Sequence, residues 1–287
     1  MAQTVGEKWF QVFNYVLLGA IGLMAVLPFI NILAQSLSSH NAVMGGLVSL
    51  LPVDFTWSAY RLVMGDNTFF HAMWISVQRT VAGALLGVFI TALLAYPLSK
   101  RYIRGRNTIL FFLVFSILFN GGIIPTFFII RWLHLLDTIW VLILPTTVAV
   151  FHVIIMKNFF QAVPFELEES AKIDGCSNLG IFFRIIIPLS MPVIATIILF
   201  KAVMHWNSFF DAVLYVSDKS LYPLQVYVRD LISYNQSSMN LELDAERVAS
   251  ESLKAAALFV SMVPILVVYP FMQKYFTKGI MLGSVKG

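Results

Sequence analysis

Apolar residues in this chain come in long unbroken blocks, not at every second, third or fourth position. Six blocks are long enough for one bilayer crossing, which takes about 20 residues. They are 10–37, 71–98, 108–130, 138–156, 185–216 and 258–276. The stretches between them are too polar or too short to cross. A soluble protein with a large core would break its apolar runs into pieces of roughly 5 to 15 residues. The pattern predicts an all-α polytopic membrane protein with six transmembrane helices in one domain, 1–287. The first block follows Lys8, as a secretory signal would, but it is too long and lacks a small-x-small cleavage site. It reads as an uncleaved span.

Composition agrees with this. Of 287 residues, 59% are hydrophobic and 12% are charged, about half the charged share of a soluble domain. The net charge of +4 could suggest nucleic acid, but its placement points to topology instead. Lys and Arg collect in cytoplasmic loops. With the N-terminus inside, the inner segments hold Lys8, Lys100, Arg101, Arg104, Arg106, Lys157, Lys172, Arg184, Lys274, Lys278 and Lys286. The outer segments hold six, Arg61, Arg131, Lys219, Arg229, Arg247 and Lys254. Both termini and the 157–184 loop are therefore expected on the cytoplasmic side. The outer loops 38–70 and 217–252 are long, and the one around 131–137 is a tight turn.

The single cysteine, Cys176, excludes an internal disulfide framework and has no CxxC or Cys/His metal spacing around it. There is no GxxxxGK(S/T) phosphate loop, no HExxH and no GxSxG. His40, His71, His134, His152 and His205 are scattered and read as polar packing residues. The expectation is a chain with no catalytic residue, no metal ligand and no cofactor of its own.

One inner stretch breaks the apolar pattern. Pro164 suits a first helical turn, and Glu166, Glu168 and Glu169 then fall where the helix dipole favours negative charge. Gly175 suits a helix stop. About ten residues make a rod of roughly 15 Å, half a bilayer. A second short helix, 178–184, is expected after the glycine. Interfacial helices usually meet anionic lipid with Lys and Arg. This one is acidic, so a protein partner with a basic surface suits it better. Ser170, Ala171 and Gly175 are small enough to let such a partner approach.

The same stretch resembles the cytoplasmic loop of permease subunits of ABC importers. That loop has the pattern Glu-Ala-Ala, three residues, Gly, nine residues, Ile-x-Leu-Pro. Here it reads Glu169-Ser170-Ala171, then Gly175, then Ile185-Ile186-Ile187-Pro188. Ser replaces Ala and Ile replaces Leu. The stretches FNGGIIPTFF, IIMKNFFQAVPFELEESAKIDG, HWNSFFDA, LYPLQ and the tail KGIMLGSVKG resemble the carbohydrate (maltose/oligosaccharide-type) branch of the family, and within it the permeases for oligosaccharides and polysaccharides, including the alginate type. The resemblance implies a type I ABC importer permease fold in a bacterial inner membrane. It implies a second homologous permease, two ATPase subunits that bind ATP and Mg, an extracytoplasmic solute-binding protein and a carbohydrate substrate. The ATPase-coupling positions it implies are Glu166, Glu169, Ser170, Ala171, Asp174, Gly175 and Pro188.

Two places are candidates for the solute pathway. The fifth block carries Lys201, His205, Trp206, Asn207, Phe210 and Asp211, and polar groups in lipid face a cavity or a partner helix. Asn207 and Asp211, four residues apart, form an expected polar stripe flanked by Trp206 and Phe210. The second place is Asn120-Gly121-Gly122 with Pro125-Thr126, a helix break that would line the pore or act as a hinge, with plain close packing by the glycines as the alternative. Gly83 and Gly87 read as a packing face. The polar run Tyr234-Asn235-Gln236 in the last outer loop is the candidate contact with a binding protein. A competing class is an ion-coupled secondary transporter, which would use membrane acids and internal repeats. Asp211 is the only acid placed within a span, and no convincing repeat relates the halves. A non-transporting scaffold is the third class.

Overall fold

The computed structural model describes residues 5–119, 121–237 and 251–284, and no strand occurs among them. In chain order the first helix is α1 (Val5–Ser36), followed by the short α2 (His40–Met44) and α3 (Ser58–Gly65). The second span is α4 (Asn67–Ser99). The third is α5 (Arg106–Leu118) with α6 (Ile123–Trp132). The fourth is two 3₁₀ turns, Ile139–Leu142 and Leu144–Thr146, followed by α7 (Val150–Gln161). The charged loop holds α8 (Phe165–Ile173), α9 (Asn178–Ile181), a π-helical turn Phe182–Ile186 and α10 (Ile187–Leu189). The fifth span is α11 (Met191–Asn207) with α12 (Phe210–Tyr215), then α13 (Leu224–Ser237) and α14 (Glu251–Ser284).

Among the described residues three helices are long and apolar enough to cross a membrane, and up to six spans result when each bent pair counts as one. The six-span architecture holds, but not as six straight rods. The fourth span bends by 53° and the entry to the fifth by 80°. Pro145 in the 3₁₀ turn and Pro188 and Pro192 beside the second bend each lack an amide N–H, so each removes one helical hydrogen bond near a bend. The third span is interrupted between Leu118 and Ile123, where Gly122 has a φ of 86° that favours glycine. A Cβ there would meet nothing within 4 Å, so backbone conformation and not close packing requires the glycine. Asn120 lies outside the described residues.

Two differences from the sequence expectation bear on the loops. Helix α7 runs to Gln161, past the end expected at 156, so the charged loop starts inside a helix. The long final loop expected at 217–252 contains α13, whose last turn carries Tyr234, Asn235 and Gln236. That polar run continues a helix and is not a loop tip.

The chain divides into two compact units. One comprises 1–70 with 228–264. In it, Ser36 and Tyr60 share a hydroxyl hydrogen bond of 2.8 Å, and the Ser38 hydroxyl accepts from the Val53 amide. These bonds fold the α1–α3 connection back on the end of α1. The other comprises 71–227 with 265–287. Its main core joins Val88, Ala92 and Ala95 of α4, Val153, Met156 and Phe160 of α7, and Ile181, Phe182, Ile186, Val193 and Ile197 from α9 to α11.

Higher along α4 the packing turns on glycine. A Cβ at Gly87 would come within 2.7 Å of the Lys201 side chain, and one at Gly83 would fall on the His205 ring. Gly83 and Gly87 share a face of α4, as Lys201 and His205 do on α11. Two long basic side chains therefore lie where α4 has none, and both are almost completely buried. The packing reading of Gly83 and Gly87 holds. Gly83→Ala should cost about 1–3 kcal/mol by overpacking, and His205→Ala in the same chain should return most of it. Thermal unfolding in detergent measures both, and strictly additive losses would show that these helices do not meet there.

Candidate functional site

The charged loop is built from a helix that faces two ways. Pro164 is the N-cap of α8, one position before the first turn expected for it. The helix ends in a Schellman pair: Cys176 N–H donates to the Ala171 carbonyl at 2.9 Å, and Gly175 N–H to the Lys172 carbonyl at 3.0 Å. That closure needs Gly175 at φ 81°. Ser177 then caps α9, its Oγ accepting from Gly180 N–H at 3.1 Å. The glycine stop and the second short helix appear where the spacing placed them.

One of the three acids departs from expectation. Glu168 is buried and ion-paired with Lys100, which is also buried and lies 4.6 Å over the Tyr96 ring. It is an internal anchor and does not offer its charge to a partner. Its second carboxylate oxygen has no hydrogen-bond partner. Ala171 likewise turns inward, into the core shared by α4, α7 and α11. Its small size lets α8 seat on that core and not a partner on α8. Glu166, Glu169, Ser170 and Asp174 stay exposed, as does Pro188 at the return to the fifth span. The Ser170 hydroxyl donates to the Glu166 carbonyl at 2.9 Å. Among them sit apolar side chains at the surface: Ile173 is 86% exposed and Leu179 65%.

The solute-pathway residues do not assemble as a helical stripe. Helix α11 ends at Asn207, and Ser208 is extended (φ −74°, ψ 131°) before α12 begins. Asn207 and Asp211 are thus on separate helices, and their four-residue spacing puts them on no common face. Asn207 is exposed and donates to the Val203 carbonyl at 2.8 Å. Phe210 is exposed, whereas His205 and Trp206 are buried within the chain.

Asp211 instead pairs with Arg79 of α4, a fully buried residue that the reading of the loops passed over. Arg79 Nη1 also donates to the Ser208 carbonyl at 2.9 Å. Lys201 Nζ donates to the Thr147 carbonyl at 2.6 Å, in the gap between the 3₁₀ turn and α7. Each buried cation fastens a carbonyl that a broken helix has released. The signal for Arg79 was in plain view: one cation inside an apolar block is costly and needs a partner.

These pairs differ in what their loss does. Lys100→Met leaves the Glu168 carboxylate buried without its cation, a loss of about 3–5 kcal/mol, while Lys100→Met with Glu168→Leu should fall close to the parent chain. Urea or thermal unfolding of the solubilised protein reads the difference. Equal losses in the single and double variants would show that the pair does not anchor the loop.

Comparison with known proteins fits this arrangement. Residues 77–282 match the family described as binding-protein-dependent transport system inner membrane component. Protein LplC of Bacillus subtilis is 45% identical over 293 residues, spanning 100% of this chain and 98% of that one. The polygalacturonan/rhamnogalacturonan transport system permease protein YtcP of the same organism is 44% identical, spanning 98% of this chain and 99% of that one. A chain in the crystal structure of a bacterial ABC transporter involved in the import of the acidic polysaccharide alginate superposes with a TM-score of 0.87 at 34% identity, covering 96% and 99%. With that match over most of its length, the chain belongs to the binding-protein-dependent transport system inner membrane components, the permease subunits of ABC importers.

Proposed function

We propose that the chain is one of two homologous permeases in an importer of an oligo- or polysaccharide. It works with two ATPase subunits that bind ATP and Mg and a solute-binding protein on the outer side. In this reading both termini and α8–α9 face the cytoplasm of a bacterial cell. The observation that carries it is the divided surface of α8. Glu168 and Ala171 fasten the helix to the membrane core, while Glu166, Glu169 and the nearly bare Ile173 project from it. An apolar side chain exposed among acids on a non-spanning helix suits a protein interface with an apolar centre and a charged rim. The saccharide is supported by the named cargoes of similar permeases, polygalacturonan, rhamnogalacturonan and arabinooligosaccharides. Contact of the 234–236 run with the binding protein belongs to the same proposal, as does a pathway past Gly121 and Gly122. An ion-coupled carrier would need a carboxylate left free to bind the ion, and Asp211 is held by Arg79.

Glu169→Lys and Ile173→Glu both alter the exposed side and spare the anchor. Each should reduce ATPase copurification and binding-protein-stimulated ATP hydrolysis about tenfold or more, since losing a hot spot at an interface centre costs about 2 kcal/mol or more. Membrane insertion should persist. Gly175→Leu should act similarly by straining the left-handed turn by about 1–2 kcal/mol. Full coupled uptake in all three variants would remove α8–α9 from the coupling role.

A further inference from the structure

We propose that Arg79 reads carboxylates on the saccharide, with Asp211 as the internal competitor for its guanidinium. The inference rests on the saccharide reading above and adds the charge of the cargo. Helices α4 and α11 contain no acid, and Asp211 on α12 is the only carboxylate on the three. The same three helices bury two basic side chains, Arg79 and Lys201. Asp211 pairs with Arg79, while Lys201 donates to the Thr147 backbone carbonyl. One carboxylate therefore stands against two buried basic side chains inside the membrane. That is costly for the protein alone and favourable to a passing anion.

The geometry around Arg79 suits exchange. A guanidinium carries five donors in a planar fork matched to a carboxylate. Arg79 gives Nη2 to Asp211 and Nη1 to the Ser208 carbonyl, and its buried Nε has no partner. Donor capacity remains on the edge of the fork. The two partners also differ in access: the Arg79 side chain is 0% exposed and that of Asp211 is 19% exposed. A solute reaching this end of α11 meets Asp211 with the cation directly behind it. The exposed neighbours Asn207 and Phe210 supply an amide for hydroxyls and an aromatic face for a sugar ring. A neutral saccharide would use the amide and the ring alone. A uronate adds a carboxylate that can take the place of Asp211 on the fork.

The reconstituted importer, with its permease partner and ATPase, can be tested with two trisaccharides, oligogalacturonate and a neutral one of equal length. Binding is measured by calorimetry at low ionic strength. Asp211→Asn should raise the ratio of acidic to neutral affinity about tenfold, the scale of one charge-assisted hydrogen bond, and added salt should erase the gain. Arg79→Gln with Asp211→Asn keeps the pair neutral and hydrogen-bonded, so it guards against misfolding, and it should remove the preference. An unchanged ratio in Asp211→Asn, or a gain that survives in the double variant, would make the pair a purely structural fastening and overturn the inference. Binding of neither sugar by any form would overturn the saccharide reading beneath it.

Discussion

Backbone that leaves a helix inside hydrocarbon must find hydrogen-bond partners within the protein, because no water is there to supply them. Much of this fold follows from that constraint. Three of its spans are bent or broken, and the break in the fourth span and the end of α11 release carbonyls at Thr147 and Ser208. The chain meets the demand with long basic side chains from neighbouring helices, Lys201 and Arg79. Lys201 needs space, and Gly87 provides it by presenting no side chain, as Gly83 does for His205 beside it. Breaks, cations and glycines form one solution and cannot be judged singly.

The charged loop obeys a second rule, that a helix too short to span must be held by what it packs on. Helix α8 has only nine residues and would be marginal alone. It is stapled at one side by the Lys100–Glu168 pair and closed at its end by the Gly175 turn. The opposite side is free to carry Glu166, Glu169 and Ile173. A buried pair of this kind adds little net stability, because both charges lose water, but it fixes orientation. Rotating α8 about its axis would move Glu168 away from Lys100 and leave two buried charges bare.

The spans were legible because lipid demands about 20 apolar residues for each, and no other architecture asks for such runs. The Gly175 stop was legible because only glycine takes that φ cheaply. The inward turn of Glu168 was not, since its partner lies 68 positions earlier and nothing local distinguishes it from Glu166 or Glu169. Pro145 and Pro188 marked bends that a count of apolar residues overlooks. The break at Ser208 has no such marker. The residue is compatible with a helix, and its extended backbone is held by tertiary contacts, among them Arg79. The expected Asn207–Asp211 stripe failed there, because helical spacing predicts a shared face only while the helix continues.

The anchor at Glu168 also sets how the loop handles force. A helix on a slack tether absorbs a push by swinging. Here the head of the tether is bolted to the end of α4 by an ion pair with almost no room to move. Within the proposed importer, a displacement delivered to the outer side of α8 is not dissipated in the loop. It arrives at α4 as load along a thirty-three-residue strut, whose far half carries Arg79. The stiffness of one buried contact then decides how much of each stroke becomes movement and how much becomes heat.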